Sequence, residues 1–211
     1  MNRLMTVALL FSLTLLQGCI PLLATGVLST TTLVVTDRRS TGTQADDEAI
    51  EWKAEARVGK RFPEAHVNVV SYNRRVLVTG EAKDSATVSE IVRLVAGVEN
   101  VVGVVNELKV AATSTLSGRS NDAYLTSKVK ARFVDAGKFS LHRVKVLTEA
   151  GSVFLLGVVT QMEADAAIDV ARTTGGVMRV VNVMDIISDE EARRIDNNIG
   201  NSVSSTKLQA Q

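Results

Sequence analysis

The chain has 211 residues, with 24 Lys and Arg against 23 Asp and Glu, two His and one Cys. A net charge of +1 excludes a generic polyanion binder, so no nucleic-acid partner is expected. One cysteine excludes an internal disulfide and a cysteine-built metal site, and few aromatics (4%) beside abundant valine predict aliphatic cores with Val-rich strands.

Arg3 precedes Leu4 to Leu16, thirteen residues whose only polar members are Thr and Ser. That run suits the core of a secretory signal and falls short of the roughly 20 residues of a membrane span. Leu16-Gln17-Gly18-Cys19 follows. It resembles the lipobox of bacterial lipoproteins, with a small residue before the cut and a thiol to carry diacylglycerol as a thioether. Residues 1–18 then form a signal peptide, Cys19 is the acylated N-terminus, and 19–45 is a lipidated linker. No cofactor is expected beyond that covalent lipid. Ile20 to Val35 is a second apolar stretch, but Pro21, Gly26 and Ser29-Thr30-Thr31-Thr32 make it a poor membrane helix.

The remainder repeats itself. Ile50, Ala54, Ala56 and Val58 match Leu125, Val129, Ala131 and Phe133 at a shift of 75. Val67 to Gly80 reads against Val144 to Gly157 at a shift of 77. Gly97 to Val102 reads against Gly176 to Val181 at 79, which implies a two-residue insertion in the second copy's later helix or its cap. Each unit is predicted as helix–strand–strand–helix–strand, over 46–112 and 120–188, with 113–119 as linker. First helices are expected over 46–60 and 120–134. Hairpin turns fall at Asn73-Arg74 and Glu149-Ala150-Gly151. Asp84 caps one later helix and Thr160-Gln161-Met162-Glu163 forms a capping box on the other. Gly97 and Gly175-Gly176 are read as left-handed helix ends. The closing strands are Val101 to Val110 and Val180 to Ile187. Over 189–211, Ser188 with Glu191 caps a short helix, and Gly200 to Gln211 reads as a disordered tail.

Two αββαβ units, each with strand–Gly–helix–Gly-Val, resemble BON domains and give an α+β fold. A lipobox, then Thr36-Asp37-Arg38-Arg39-Ser40-Thr41-Gly42-Thr43-Gln44, and Ser120-Asn121-Asp122 before the second unit's first helix resemble the dual-BON outer-membrane lipoproteins. That family implies a periplasm-facing outer-membrane lipoprotein that recognises anionic phospholipid through its second BON domain. It also implies a part in envelope integrity and enrichment at the division site.

No catalytic constellation is present in the sequence, so neither an enzyme nor a small-molecule substrate is expected. His66 and His142 open the first strands at near-equivalent positions, but no Asp, Glu or Cys lies beside them at ligand spacing, and no metal site is expected. Gly80 and Gly157 are read as structural positions where a side chain would meet the packed helix.

The first helices carry the functional clue. From 46 to 60 the chain has Asp46, Asp47, Glu48, Glu51 and Glu55 against Lys53, Arg57 and Lys60. From 120 to 134 it has Asp122 alone against Lys128, Lys130 and Arg132. Leu125, Val129 and Phe133 share a core face, while Tyr124, Ser127, Ala131 and Val134 share the opposite one. Tyr124, Lys128, Val129, Lys130 and Val134 are the candidate contacts to an anionic membrane. Glu51 and Glu55 would repel such a surface in the first unit. The alternative is an adaptor that binds an envelope or division protein by a sheet or by the acidic first helix. An exposed apolar sheet face would favour that alternative.

Overall fold

The computed structural model describes residues 37–209. The lipobox and Cys19 lie outside the described residues. The first unit comprises α1 (Thr41–Arg61), β1 (His66–Tyr72), β2 (Arg75–Ala82), α2 (Ser85–Ala96) and β3 (Gly103–Val110). The second comprises α3 (Leu116–Ala136), β4 (Val144–Glu149), β5 (Ser152–Thr160), α4 (Gln161–Arg172), β6 (Arg179–Asn182) and β7 (Asp185–Ile187). A closing helix, α5, runs Asp189–Gln209.

Both first helices start earlier than the repeat suggested, because Ser40 and Thr115 supply N-caps to the N–H groups of Thr43 and Gly118. The helix apolar spacing then decides what is buried. Asp47, Ile50, Ala54 and Val58 face inward on α1, and Asp122, Leu125, Val129 and Phe133 do so on α3. The shift of 75 therefore holds position by position.

In each unit a hairpin pairs antiparallel and the closing strand joins its second strand in parallel. Val67 pairs with Gly80 and Val144 with Gly157, which keeps the hairpins at a shift of 77. The insertion expected in the later helix is not there. Both α2 and α4 have 12 residues, and their caps, Asp84 and Thr160, differ by 76. Gly103 and Arg179 open β3 and β6 at the same 76. The second unit is one residue shorter between hairpin and helix, and Gly97-Val98 aligned with Gly176-Val177 by composition alone.

Gly97 is not left-handed, with φ −82°. After these two helices the positive-φ positions are Asn100 (φ 68°) and Gly176 (φ 100°), which are equivalent at the same shift. The second closing strand is also broken in two. Asn182 Oδ1 accepts the Met184 N–H at 2.9 Å at the break, although the equivalent Asn106 accepts the Leu108 N–H within an unbroken β3.

Helices cover one face of each sheet. Ile50, Ala54, Val76, Val78, Ile91 and Val95 form one core under α1 and α2. Val129, Phe133, Val153, Leu155, Ala167 and Ala171 form the other. A third cluster lies between the units, where Tyr72 and Leu77 of the first pack with Phe154, Leu156 and Val158 of the second. The two sheets therefore cover each other's remaining face, and all nine residues of β5 are buried. Each large apolar side chain buried this way contributes about 1.5–3 kcal/mol. An exposed apolar sheet face, the feature that would have favoured an adaptor, is used up inside the molecule.

Gly80 and Gly157 are structural for a reason other than the one expected. A Cβ at either would collide with the backbone of the neighbouring strand's start, at the carbonyl oxygen of His66 or of Arg143, and not with a helix. Gly80 adds a φ of +113°, which other residues rarely adopt.

Candidate functional site

The seam between the units is held by charges the repeat pattern hides. Arg38, read above as linker, is buried at the end of the N-terminal segment. Its guanidinium donates to Glu163 of α4 (2.6 Å) and to Asp196 of α5 (3.0 Å). Arg143 donates to the same two acids. Burial alone would push the Glu163 carboxyl up. Hydrogen bonds from Arg38, the Thr160 N–H and Arg143 outweigh it and hold the group below the usual glutamate range. Arg39 stacks on the Tyr72 ring at 3.8 Å and bonds Asp37 and Asp47. Residues 37–39 are thus a clamp over both units and α5. Where a short helix and a disordered tail were expected, one 21-residue helix runs Asp189–Gln209, and its Asp196 belongs to that clamp.

Asp47 and Asp122 were missed as a pair. Asp47 accepts the N–H groups of Asn73 and Arg74 at 2.9 and 2.7 Å, and Asp122 accepts those of Ala150 and Gly151 at 2.9 Å each. All four donors sit at positive φ in the hairpin turns. A buried carboxylate from the first helix therefore holds each strained turn. The signal available was that both acids occur at the helix shift of 75.

The outer face of α3 is where the candidate membrane residues fall. Tyr124 is 63% exposed and Val134 is 62% exposed, about 15 Å apart along the axis. Ser127, Lys130 and Ala131 lie exposed between them. Val129 does not belong to this face: it is 0% exposed, inside the second core, as its helical phase with Leu125 and Phe133 requires. Lys128 is half-buried at the flank, where its Nζ donates to the Gly175 carbonyl at 2.8 Å. Arg132 likewise donates to the Val170 carbonyl and the Thr174 hydroxyl. Among the described residues Lys130 has no such partner.

The matching face of α1 differs. Glu55 stands where Lys130 does, and the exposed Trp52 where Ser127 does. Glu51 does not face outward. It accepts the Ser71 N–H at 2.8 Å and the Lys145 Nζ at 3.1 Å, across the seam.

Beside the N-terminal half of α3, three strands of the two units bring His66, Glu81 and Glu149 together. His142 takes no part in that group, so the two histidines are not a pair. Burial and the nearby carboxylates of Glu81 and Asp122 raise the Glu149 carboxyl, against the hydrogen bond from Asn68 and the His66 imidazole.

The BON domain model matches residues 46–112 and 121–188. The chain belongs to the BON-domain family. It is a dual BON-domain protein, 42% identical over 171 residues to the outer membrane lipoprotein DolP of Haemophilus influenzae, covering 80% of this chain and 88% of that one. It is 35% identical to a 21 kDa hemolysin of Actinobacillus pleuropneumoniae, over 72% of this chain and 79% of that protein. It is also 30% identical to osmotically-inducible protein Y of Escherichia coli, over 67% of this chain and 73% of the other. Among the described residues, no helix of this BON protein is long and apolar enough to cross a membrane.

Proposed function

We propose that this protein is a lipid-anchored, periplasm-facing component of the outer membrane that binds anionic phospholipid through the outer face of α3 in its second BON domain. The observation that carries the reading is the exposure of Tyr124 and Val134 on one helix face, with Lys130, unpaired among the described residues, between them. An amphipathic helix lying in the headgroup region uses such a face. Lys130 contributes about 1 kcal/mol near an anionic surface, screened by salt. Burying Tyr124 and Val134 adds about 1–3 kcal/mol that salt does not remove. Acylation of Cys19 would hold the chain at a bilayer, and the α3 face would then select where on it the chain dwells. Enrichment at the division site and a role in envelope integrity follow from the family resemblance.

The test uses the unlipidated chain from residue 20 and sedimentation with vesicles. Phosphatidylglycerol vesicles should retain it and phosphatidylcholine vesicles should not. High salt should weaken retention without abolishing it. Tyr124→Glu with Val134→Glu, folded by circular dichroism, should lose it. Retention equal to wild type would place the binding surface elsewhere. The second reading, a protein partner, is favoured by Trp52, 72% exposed on the acidic face of α1. Tryptophan is over-represented among the residues that dominate protein interfaces.

A further inference from the structure

We propose that His66, Glu81 and Glu149 form a divalent-cation site, suited to Zn²⁺, that joins the two BON domains. It lies beside the N-terminal half of α3 but off the Tyr124–Val134 face, and does not depend on the lipid reading. His66 and Glu81 face each other across the first hairpin, and Glu149 ends β4 of the second unit. One ligand atom from each lies within 4.8 Å of the others. His66 Nδ1 is 2.9 Å from Glu81 Oε2 and 3.9 Å from Glu149 Oε1. Tetrahedral zinc, with ligands at about 2.0–2.2 Å, spaces its donors about 3.3–3.6 Å apart, within that range. One imidazole nitrogen with two carboxylates is a donor set that zinc accepts, leaving a position for water.

The surroundings aim these groups. Asn68 Nδ2 donates to Glu149 Oε2 at 2.7 Å, which leaves Oε1 turned toward the imidazole. The Ser114 N–H donates to Glu81 Oε2 at 3.1 Å. Partners of this kind orient metal ligands in protein sites. A cleft lined by His66, Asn68, Thr126, Thr148 and Glu149 gives an ion access from solvent. Arg119 also lines it, but its guanidinium is turned to the Ser114 hydroxyl and carbonyl. Asp122 is no ligand, because its two oxygens are taken by the turn at Ala150-Gly151. Binding would replace whatever proton lies between His66 and Glu81 with the metal, and release it to solvent.

The test is calorimetric titration of ZnCl₂ into the full lipidated chain, held in detergent micelles and stripped with EDTA. One Zn²⁺ per chain at micromolar affinity is expected, with a rise in the thermal unfolding midpoint. His66→Ala and Glu149→Gln should each weaken binding by more than about tenfold. His142→Ala should leave it unchanged. Glu149→Gln preserves size and keeps the test open if His66→Ala does not fold. No saturable binding up to millimolar Zn²⁺ overturns the proposal. So does binding that survives Glu149→Gln, or a zinc effect that vanishes in His142→Ala. A midpoint that rises on acidification while zinc does nothing would make the cluster a proton-held latch, and would also end the metal reading.

Discussion

The first helices of the two BON domains are the same on the inside and different on the outside. Asp47, Ile50, Ala54 and Val58 repeat as Asp122, Leu125, Val129 and Phe133. Outside, Ala49 becomes Tyr124, Glu55 becomes Lys130 and Gly59 becomes Val134. One flanking pair shows how charge is freed. Lys53 forms an ion pair with Glu99 at 3.1 Å, whereas Lys128, its counterpart, meets only the carbonyl of Gly175 at 2.8 Å. Glu99 and Gly175 are equivalent at the shift of 76. The second unit therefore keeps a positive charge that the first cancels locally. Folding constrains the inner face alike in both copies, and leaves the outer face of α3 open to a separate use.

The largest expected effect breaks the structural likeness. Gly157→Glu forces a side chain into the Arg143 carbonyl and buries a carboxylate, which should cost more than about 3 kcal/mol by overpacking and desolvation. Thermal unfolding should show a midpoint lower by about 6–12 °C or more, or no folded protein. An unchanged midpoint would mean that β4 does not approach Gly157. The next effect separates the two turns. Asp47→Ala should cost about 3 kcal/mol and Asp122→Ala about 2, because Asp47 also accepts the Ser71 hydroxyl and Arg39. Urea unfolding of both variants measures the difference; equal losses would show that the extra partners contribute nothing. The smallest effect sharpens the outer contrast. Exchanging Lys130→Glu should weaken binding to phosphatidylglycerol vesicles about fivefold to tenfold at low salt, with stability changed by less than about 0.5 kcal/mol. Loss of that difference at high salt would identify it as electrostatic.

The repeat, the hairpins and the helix caps were legible because they rest on local rules. Apolar spacing marks α1 and α3, Asp84 and Thr160 mark α2 and α4, and Asn73 and Gly151 mark the turns. Tyr124 and Val134 were legible for the same reason: helical phase puts them opposite Leu125 and Phe133. What could not be read depends on distant segments meeting. Arg38 finds Glu163 125 residues away, and Asn68 finds Glu149 81 residues away. Sequence spacing around His66 could not show Glu149 for that reason. The length of α5 was hidden by Gly200 and a polar composition, because its anchor is Asp196 on Arg38 and Arg143.

The sheet-against-sheet seam has a consequence for how the chain is made. Synthesis and export proceed from the N-terminus, so β1, β2 and β3 emerge before β4 and β5. Until the second hairpin arrives, Leu77 has no cover from the second unit and Tyr72 has only the Arg39 guanidinium stacked on its ring. A half-made molecule thus presents a sticky apolar sheet, the kind of surface that aggregates or recruits a holding chaperone. Truncation after residue 112 would freeze the protein in that state, so a nonsense mutation in the second half should do more harm than substitutions on the outer face of α3 alone.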